Sequence, residues 1–422
     1  MSVQFSLGYP QFTKDPSYYY TLLKNSSQEY RDEISDIYFS VPFKYDDEVS
    51  YGDCMSASSV EEHTKYLLKI NNELNIKISL TFNEIPADPR ILTTPEIFDA
   101  FVEHLRYFYD NGLRMCTISD THMMASGRLQ HEFPEMHWKN TVNHLVDNAQ
   151  SVLDYHLLGY NTILLDRSLN RNLPELKNIK RLQERYNNSF KTSLLVTESC
   201  LPSCPFKTDH DSMGSRYGQN QYWATLGNLS CTKWRSGDWS QMPRIGTDLI
   251  YIDEENFNEF AELVDVFKYT GRVGNLEEVE GDINDYKFVW GVTATSSALF
   301  VYSGNNYSKN DLGWWMTSDS HSDILKNKLT PLNNWSSAKI VKKDFISEDT
   351  WKYKDRVFLD NIWATKKGKS LAKILKDCKN QCWDCHACEK VFKVTPVDSI
   401  IQINREDDNL INEDNTVNIT NI

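Results

Sequence analysis

The sequence predicts an α/β fold, a (βα)8 TIM-like barrel followed by a C-terminal α+β extension. Three observations carry this. Short β-branched or apolar runs alternate with amphipathic helical stretches over the first 270 residues. Eight of those runs have strand length. The helices between them are long enough to return the chain to the same edge of a parallel sheet. An open doubly wound sheet is the competing arrangement, because periodicity counts strands without closing them.

The candidate strands are Gln4–Gly8, Asp36–Val41, Lys77–Phe82, Arg114–Ser119, Met136–Val142, Thr162–Asp166, Lys191–Val196 and Val266–Tyr269, with a further extended run at Asp248–Ile252. The helices have readable starts. Ser59 and Glu62 have capping-box spacing ahead of Tyr66, Leu67, Ile70 and Leu74. Thr94-Pro95 opens a helix with Phe98, Phe101, Val102, Leu105 and Phe108 on one side, and Gly112 offers its stop. Asn172 can cap a helix carrying Leu176, Ile179, Leu182 and Tyr186. Glu255–Val264 is a short helix with Phe257, Phe260 and Val264 as its apolar side. The organisation expected is a barrel over 1–280, an aromatic-rich extension over 281–405, and a polar tail over 406–422.

Bulk composition bounds the function classes. Hydrophobic residues make up 40% of 422, enough for a substantial core, and aromatics at 12% argue against wholesale disorder. The formal charge of -14 argues against a broad duplex-DNA surface, while leaving room for a local basic cleft that meets RNA. No run approaches the roughly 20 apolar residues that cross a bilayer. No segment reads as a signal peptide. The expected setting is cytoplasmic, without membrane contact, and the Asn228 sequon is read as chance.

The nine cysteines carry the strongest chemical signal. Seven fall in two groups. Cys200 and Cys204, flanked by Pro202 and Pro205, directly follow a candidate strand, and Cys231 lies further along. Cys378, Cys382, Cys385 and Cys388 occupy eleven residues. An odd number of thiols in a long chain without an export signal makes a poor disulfide framework. Tight thiolate spacing suits a 4Fe–4S cluster, or zinc as the alternative. One site or two remain open: the second group alone, or Cys200, Cys204 and Cys231 with a fourth ligand from the C-terminal group. His386 can replace a cysteine at a zinc site. Cys378-x3-Cys382-x2-Cys385 also has radical-SAM spacing, though it lies far beyond the last strand rather than near the first. Cys116, inside an apolar run, reads as core.

In a βα barrel, polar groups just past the strands converge on one rim. Asp120, Asp166 and Glu198 are candidate acids, bases or acceptors there. Arg167 and Arg272 are candidate anion clamps or stacking groups. Asn83, Glu84, Asn140 and the Lys268–Arg272 segment share the rim. Salt bridges that merely close the rim are the simpler account of each.

Four stretches carry a family likeness: Gly112–Ser119 with Asp120, Met136–Asn143, Asn161–Leu176 and Val266–Arg272 (VFKYTGR). With these, residues 1–275 resemble the collagenase-like peptidase family, peptidase U32. Its characterised members include iron–sulfur proteins that support oxygen-independent hydroxylation of RNA bases or quinone precursors. The resemblance implies an iron–sulfur oxidoreductase or modification enzyme acting on a nucleic-acid base or small aromatic substrate, with an electron-donor protein as partner. It also implies cluster ligation by four barrel cysteines. Here Cys200, Cys204 and Cys231 depart from the usual spacing, and no fourth cysteine of that region precedes Cys378. The proteolysis in the family name finds no nucleophile–base pair and no HExxH motif here. A metal-stabilised binding or scaffold protein is the second reading, with the tryptophan-rich 283–365 segment as its contact surface. A radical-SAM enzyme or a peptidase comes third.

Overall fold

The computed structural model describes residues 4–9, 16–25, 28–46, 48–52, 60–195, 205, 207–208, 254–268 and 366–387. Within them the eight expected strands close into a parallel barrel. The strands are β1 (Gln4–Gly8), β2 (Ile34–Phe39), β5 (Ile78–Phe82), β6 (Met115–Ile118), β7 (His137–Lys139), β8 (Thr162–Leu165), β9 (Lys191–Leu195) and β10 (Val266–Lys268). Their order around the ring is β1-β10-β9-β8-β7-β6-β5-β2. Two short strands, β3 (Phe43–Lys44) and β4 (Ser50–Tyr51), form an antiparallel hairpin beyond β2. The open-sheet alternative is excluded by the pairing of β1 with both β2 and β10.

The helices along the barrel are α1 (Tyr18–Asn25), α2 (Gln28–Asp32), α3 (Val60–Leu74), α4 (Arg90–Thr93), α5 (Pro95–Asp110), α6 (Thr121–Ala125), α7 (Arg128–Glu132), α8 (Ala149–Leu157), α9 (Leu173–Arg185) and α10 (Glu254–Leu263). Proline at the first turn of α5 fits the expected start, although the Thr94 side chain makes no capping bond. Its apolar stripe is buried as expected, with Phe101 and Leu105 fully enclosed. Gly112 follows the helix at φ +97°, where an added Cβ would sit 2.8 Å from Asn72 Oδ1. Asn172 does cap α9, accepting from the Glu175 N–H at 3.2 Å. The Ser59 cap and Asp248–Ile252 lie outside the described residues.

Strand β7 is shorter than the expected Met136–Val142. It stops at Lys139, and a 3-10 turn over Val142–His144 follows. Thr141 accounts for the stop, because its hydroxyl accepts from the Asn143 N–H and caps that turn.

Strand alternation divides the barrel residues into two sets. Phe5, Leu7, Ile37, Phe39, Ile78, Leu80, Phe82, Cys116, Ile118, Trp138, Ile163, Leu165, Leu194 and Phe267 face outward and pack with the helix stripes in one apolar cluster. Burying each such side chain contributes about 1.5–3 kcal/mol. The alternate residues are in register with one another around the ring and face the lumen. Cys116 belongs to the outward set, so the core reading of that thiol holds, and burial pushes its pKa up.

A C-terminal segment docks on this frame. Helix α11 (Lys366–Leu375) contributes Leu371, Ala372 and Leu375 to the barrel's apolar cluster. Beyond it the chain forms an antiparallel bridge between Asp377 and Asn172. The Leu173 N–H donates to the Lys376 carbonyl at 2.8 Å, and the Cys378 N–H donates to the Arg171 carbonyl at 2.9 Å. Lys376 adds an ion pair with Glu259 of α10 at 2.7 Å.

Candidate functional site at the barrel mouth

The ends of β5 through β8 are joined by a polar network. Tyr51, fully buried on β4, places its hydroxyl 3.1 Å from the N–H groups of both Ser119 and Asp120, and 2.9 Å from Ser119 Oγ. Burial raises its pKa, so it acts here as a neutral phenol. Ser119 donates to the Glu84 carbonyl, and its own carbonyl meets His144 Nε2 at 2.6 Å. Asn140, wholly buried, bonds both the N–H and the carbonyl of Leu164, tying β7 to β8. Asn143 reaches the Asn83 carbonyl and accepts from Lys207 Nζ at 3.0 Å.

Glu84 is the group in this rim best suited to proton transfer. Its carboxylate accepts from the Gly52 N–H at 3.0 Å. Burial raises its pKa to about 7, against the lowering effect of that hydrogen bond. Gly52 holds the donor at φ +112°, where a Cβ would press on Pro42 at 3.2 Å.

The other rim candidates divide. Asp120 caps the short helix α6 (Thr121–Ala125), accepting from the N–H groups of His122 and Met123. Asp166 caps the 3-10 turn Arg167–Arg171 through the Ser168 N–H at 2.8 Å. These are structural tasks, and no hydrogen bond links the two carboxylates among the described residues. Arg167 is buried in the same turn, which Asn170 fastens to β9 by donating to the Leu195 carbonyl at 2.7 Å. Lys268, buried at the end of β10, sits 4.2 Å above the Tyr38 ring centroid. Glu198 and Arg272 lie outside the described residues.

Three of the seven candidate metal thiols are described. Cys378 is partly buried beside the β8 turn. Cys382 and Cys385 bound the single-turn helix α12 (Cys382–Cys385). His386 ends that turn at φ 48°, with a buried Nδ1 lacking a hydrogen-bond partner among the described residues. The donor chemistry suits a thiophilic metal, but among the described residues no three His, Cys, Asp or Glu groups converge to hold an ion. Cys200, Cys204, Cys231 and Cys388 lie outside them.

Sequence reading did not single out the lumen. Lys139 Nζ crosses it to Asp36 Oδ2 at 2.7 Å, and Ser6 donates to the same oxygen at 3.1 Å. Lys139 and Asp36 are each 2% exposed at the side chain. The available signal was alternation. Strands buried on both faces usually read as continuous apolar runs, whereas β5 (ISLTF) and β6 (MCTI) interleave hydroxyl residues. His137, at the other end of β7, meets Thr162 Oγ1 at 2.6 Å, and burial first, then Lys139, lowers its pKa to about 4.

No family model matches the chain, and no curated protein matches it. Solved structures do. The U32 peptidase Mk0906 is 14% identical over 64% of this chain and 92% of its own, with a TM-score of 0.41. The putative copper homeostasis protein CutC from Streptococcus agalactiae is 15% identical over 46% and 87%, with a TM-score of 0.29. An alpha-amylase from Lactobacillus plantarum is 9% identical over 46% and 61%, also at 0.29. At these scores the likenesses add nothing to the topology already read from strand pairing. The described helices include none long and apolar enough to cross a membrane.

Proposed function

We propose that this chain is an iron–sulfur-dependent redox or modification enzyme working at the C-terminal mouth of its barrel on a nucleic-acid base or small aromatic substrate. The observation that supports this reading is the anchoring of the C-terminal thiol segment beside the mouth. The Cys378 N–H is bonded to the Arg171 carbonyl in the turn that follows β8. That placement suits the arrangement in which Cys200, Cys204 and Cys231 take a fourth ligand from the C-terminal group. When bound, such a cluster supplies one-electron redox chemistry.

The chain's own residues have separable tasks in this reading. Glu84, poised near neutrality, holds or releases a proton at its carboxylate. Tyr51 and Ser119 fix the rim on which Glu84 sits. Asp166 and Arg167 are positioning groups at the mouth, and an electron-donor protein completes the cycle.

Anaerobic purification tests the cofactor. The expected product is brown, with thiolate-to-iron absorption and about four irons and four sulfides per chain. Cys200→Ala and Cys382→Ala test the two ligand groups separately by iron content. A colourless protein that retains only zinc under those conditions overturns the iron–sulfur reading and leaves a structural metal.

A further inference from the structure

The C-terminal segment reverses the charge of the molecule. The chain carries a formal charge of -14, yet residues 366–379 hold six lysines and one aspartate. The rest of the chain is therefore more acidic than the total. Helix α11 turns Leu371, Ala372 and Leu375 into the barrel's apolar cluster. That leaves Lys373 and Ile374 on its solvent side, with Ile374 53% exposed. Past the helix, Lys379 is exposed beside its ion-pair partner Asp377, and Trp383 is 68% exposed.

The positive charge extends onto the barrel. Glu259 of α10 pairs with Lys376 at 2.7 Å and with Lys177 of α9 at 3.5 Å, so three helices meet at one carboxylate. Arg181, one turn further along α9, is exposed on the same side of that helix as Lys177.

Such a surface selects its partner. An acidic protein is repelled by most of this chain and attracted here, so the field steers it to one face. Exposed Ile374 and Trp383 among lysines match the anchor-and-rim pattern of a protein interface. A single-stranded nucleic acid uses successive aromatic platforms instead, and the described part of this segment exposes one. The place also matters. Trp383 stands between Cys382 and Cys385, and the Cys378 N–H is bonded to the turn after β8. A partner on this face reaches the thiol segment itself.

We propose that the solvent face of α11 and α12 docks an acidic one-electron carrier protein, whose role as electron donor rests on the iron–sulfur reading above. One electron leaves the iron–sulfur or flavin group of the carrier and enters the cluster of this chain. The carrier is oxidised, the cluster is reduced, and no bond forms or breaks.

Titration calorimetry of the full chain with an acidic plant-type 2Fe–2S ferredoxin, under nitrogen, tests this. The expected result is saturable binding that weakens steeply between about 0.1 and 1 M salt, as the Debye length falls from about 10 to 3 Å. Lys373→Glu combined with Lys379→Glu is expected to weaken it about tenfold or more. Lys24→Glu, at an exposed position on α1, is expected to leave it unchanged. Circular dichroism checks that each variant keeps the fold, and iron is measured on the same samples. Binding by an iron-free chain confirms the docking face and counts against the iron–sulfur reading alone. Absence of binding, with or without iron, overturns the proposal, as does equal binding by wild type and the charge-reversed variant. Binding of single-stranded oligouridine that is lost in that variant, without ferredoxin binding, overturns it too and assigns the face to nucleic acid.

Discussion

The outward and inward faces of the same strands solve different problems. Outward residues are large and apolar and join the helices in one cluster. Inward positions mix hydroxyl residues (Ser6, Ser79, Thr81, Thr117 and Ser193) with buried Tyr38, Met115, Leu164, Leu195 and Val266, around a buried Lys139–Asp36 pair. Cohesion therefore resides between strands and helices, while the lumen holds polarity at a cost that cohesion must offset.

Breaking the lumen pair from one side is the severest test of that contrast. Asp36→Ala leaves Lys139 buried without its counter-charge and is expected to cost about 3–5 kcal/mol in urea unfolding. Replacing both partners with apolar residues, Asp36→Leu with Lys139→Met, should recover most of that loss. If the double variant is as unstable as the single one, the pair is not the source of the cost.

On the outward face, Leu80→Ala removes packing without stranding a polar group. Its expected cost is about 2–5 kcal/mol, and no second substitution in the lumen should rescue it. A lumen suppressor of Leu80→Ala in a double-mutant cycle would show the two faces to be coupled.

Titration gives a smaller, signed effect. Glu84 has a folded pKa of about 7, above the usual glutamate range, so the folded state holds that proton more tightly. Its contribution to stability falls as pH rises from about 4.5 to 7. His137 has a folded pKa of about 4, below the usual histidine value, so the unfolded state binds its proton more tightly. Its contribution rises between pH 4 and about 6.5. The two slopes oppose each other over most of that range. Glu84→Gln should leave stability climbing with pH, and His137→Asn should leave it declining, both read from unfolding midpoints. Identical profiles in the two variants would contradict the assignment.

The smallest effect is the most informative about the lumen. Thr117→Val removes a hydroxyl with no hydrogen-bond partner among the described residues, at constant shape, and should change stability by less than about 1 kcal/mol. A loss of several kcal/mol would mean that the hydroxyl bonds to protein after all.

Most of the barrel was legible because each strand is a self-contained local signal. All eight were found, and the stripe of α5 and the cap of α9 follow from spacing within a single turn. The end of β7 was not legible, since Thr141 diverts the chain through its hydroxyl within the expected strand. The lumen pair was hidden for another reason: its partners are 103 residues apart, and only barrel closure brings them together. Asp120 and Asp166 were correctly placed past their strands, but position alone does not show that a carboxylate oxygen is engaged in capping. For the thiols, spacing raises the expectation of clustering, and the described cysteines show only that one group is anchored near the rim.

The bridge between Asn172 and Asp377 bears on how the molecule assembles on the ribosome. The entrance to α9 finds its backbone partner only after the chain has been synthesised past residue 377. Until then Leu371, Ala372 and Leu375 are missing from the barrel's apolar cluster. A nascent barrel halted before that point lacks those apolar contacts, and transiently exposed apolar surface of this kind favours aggregation.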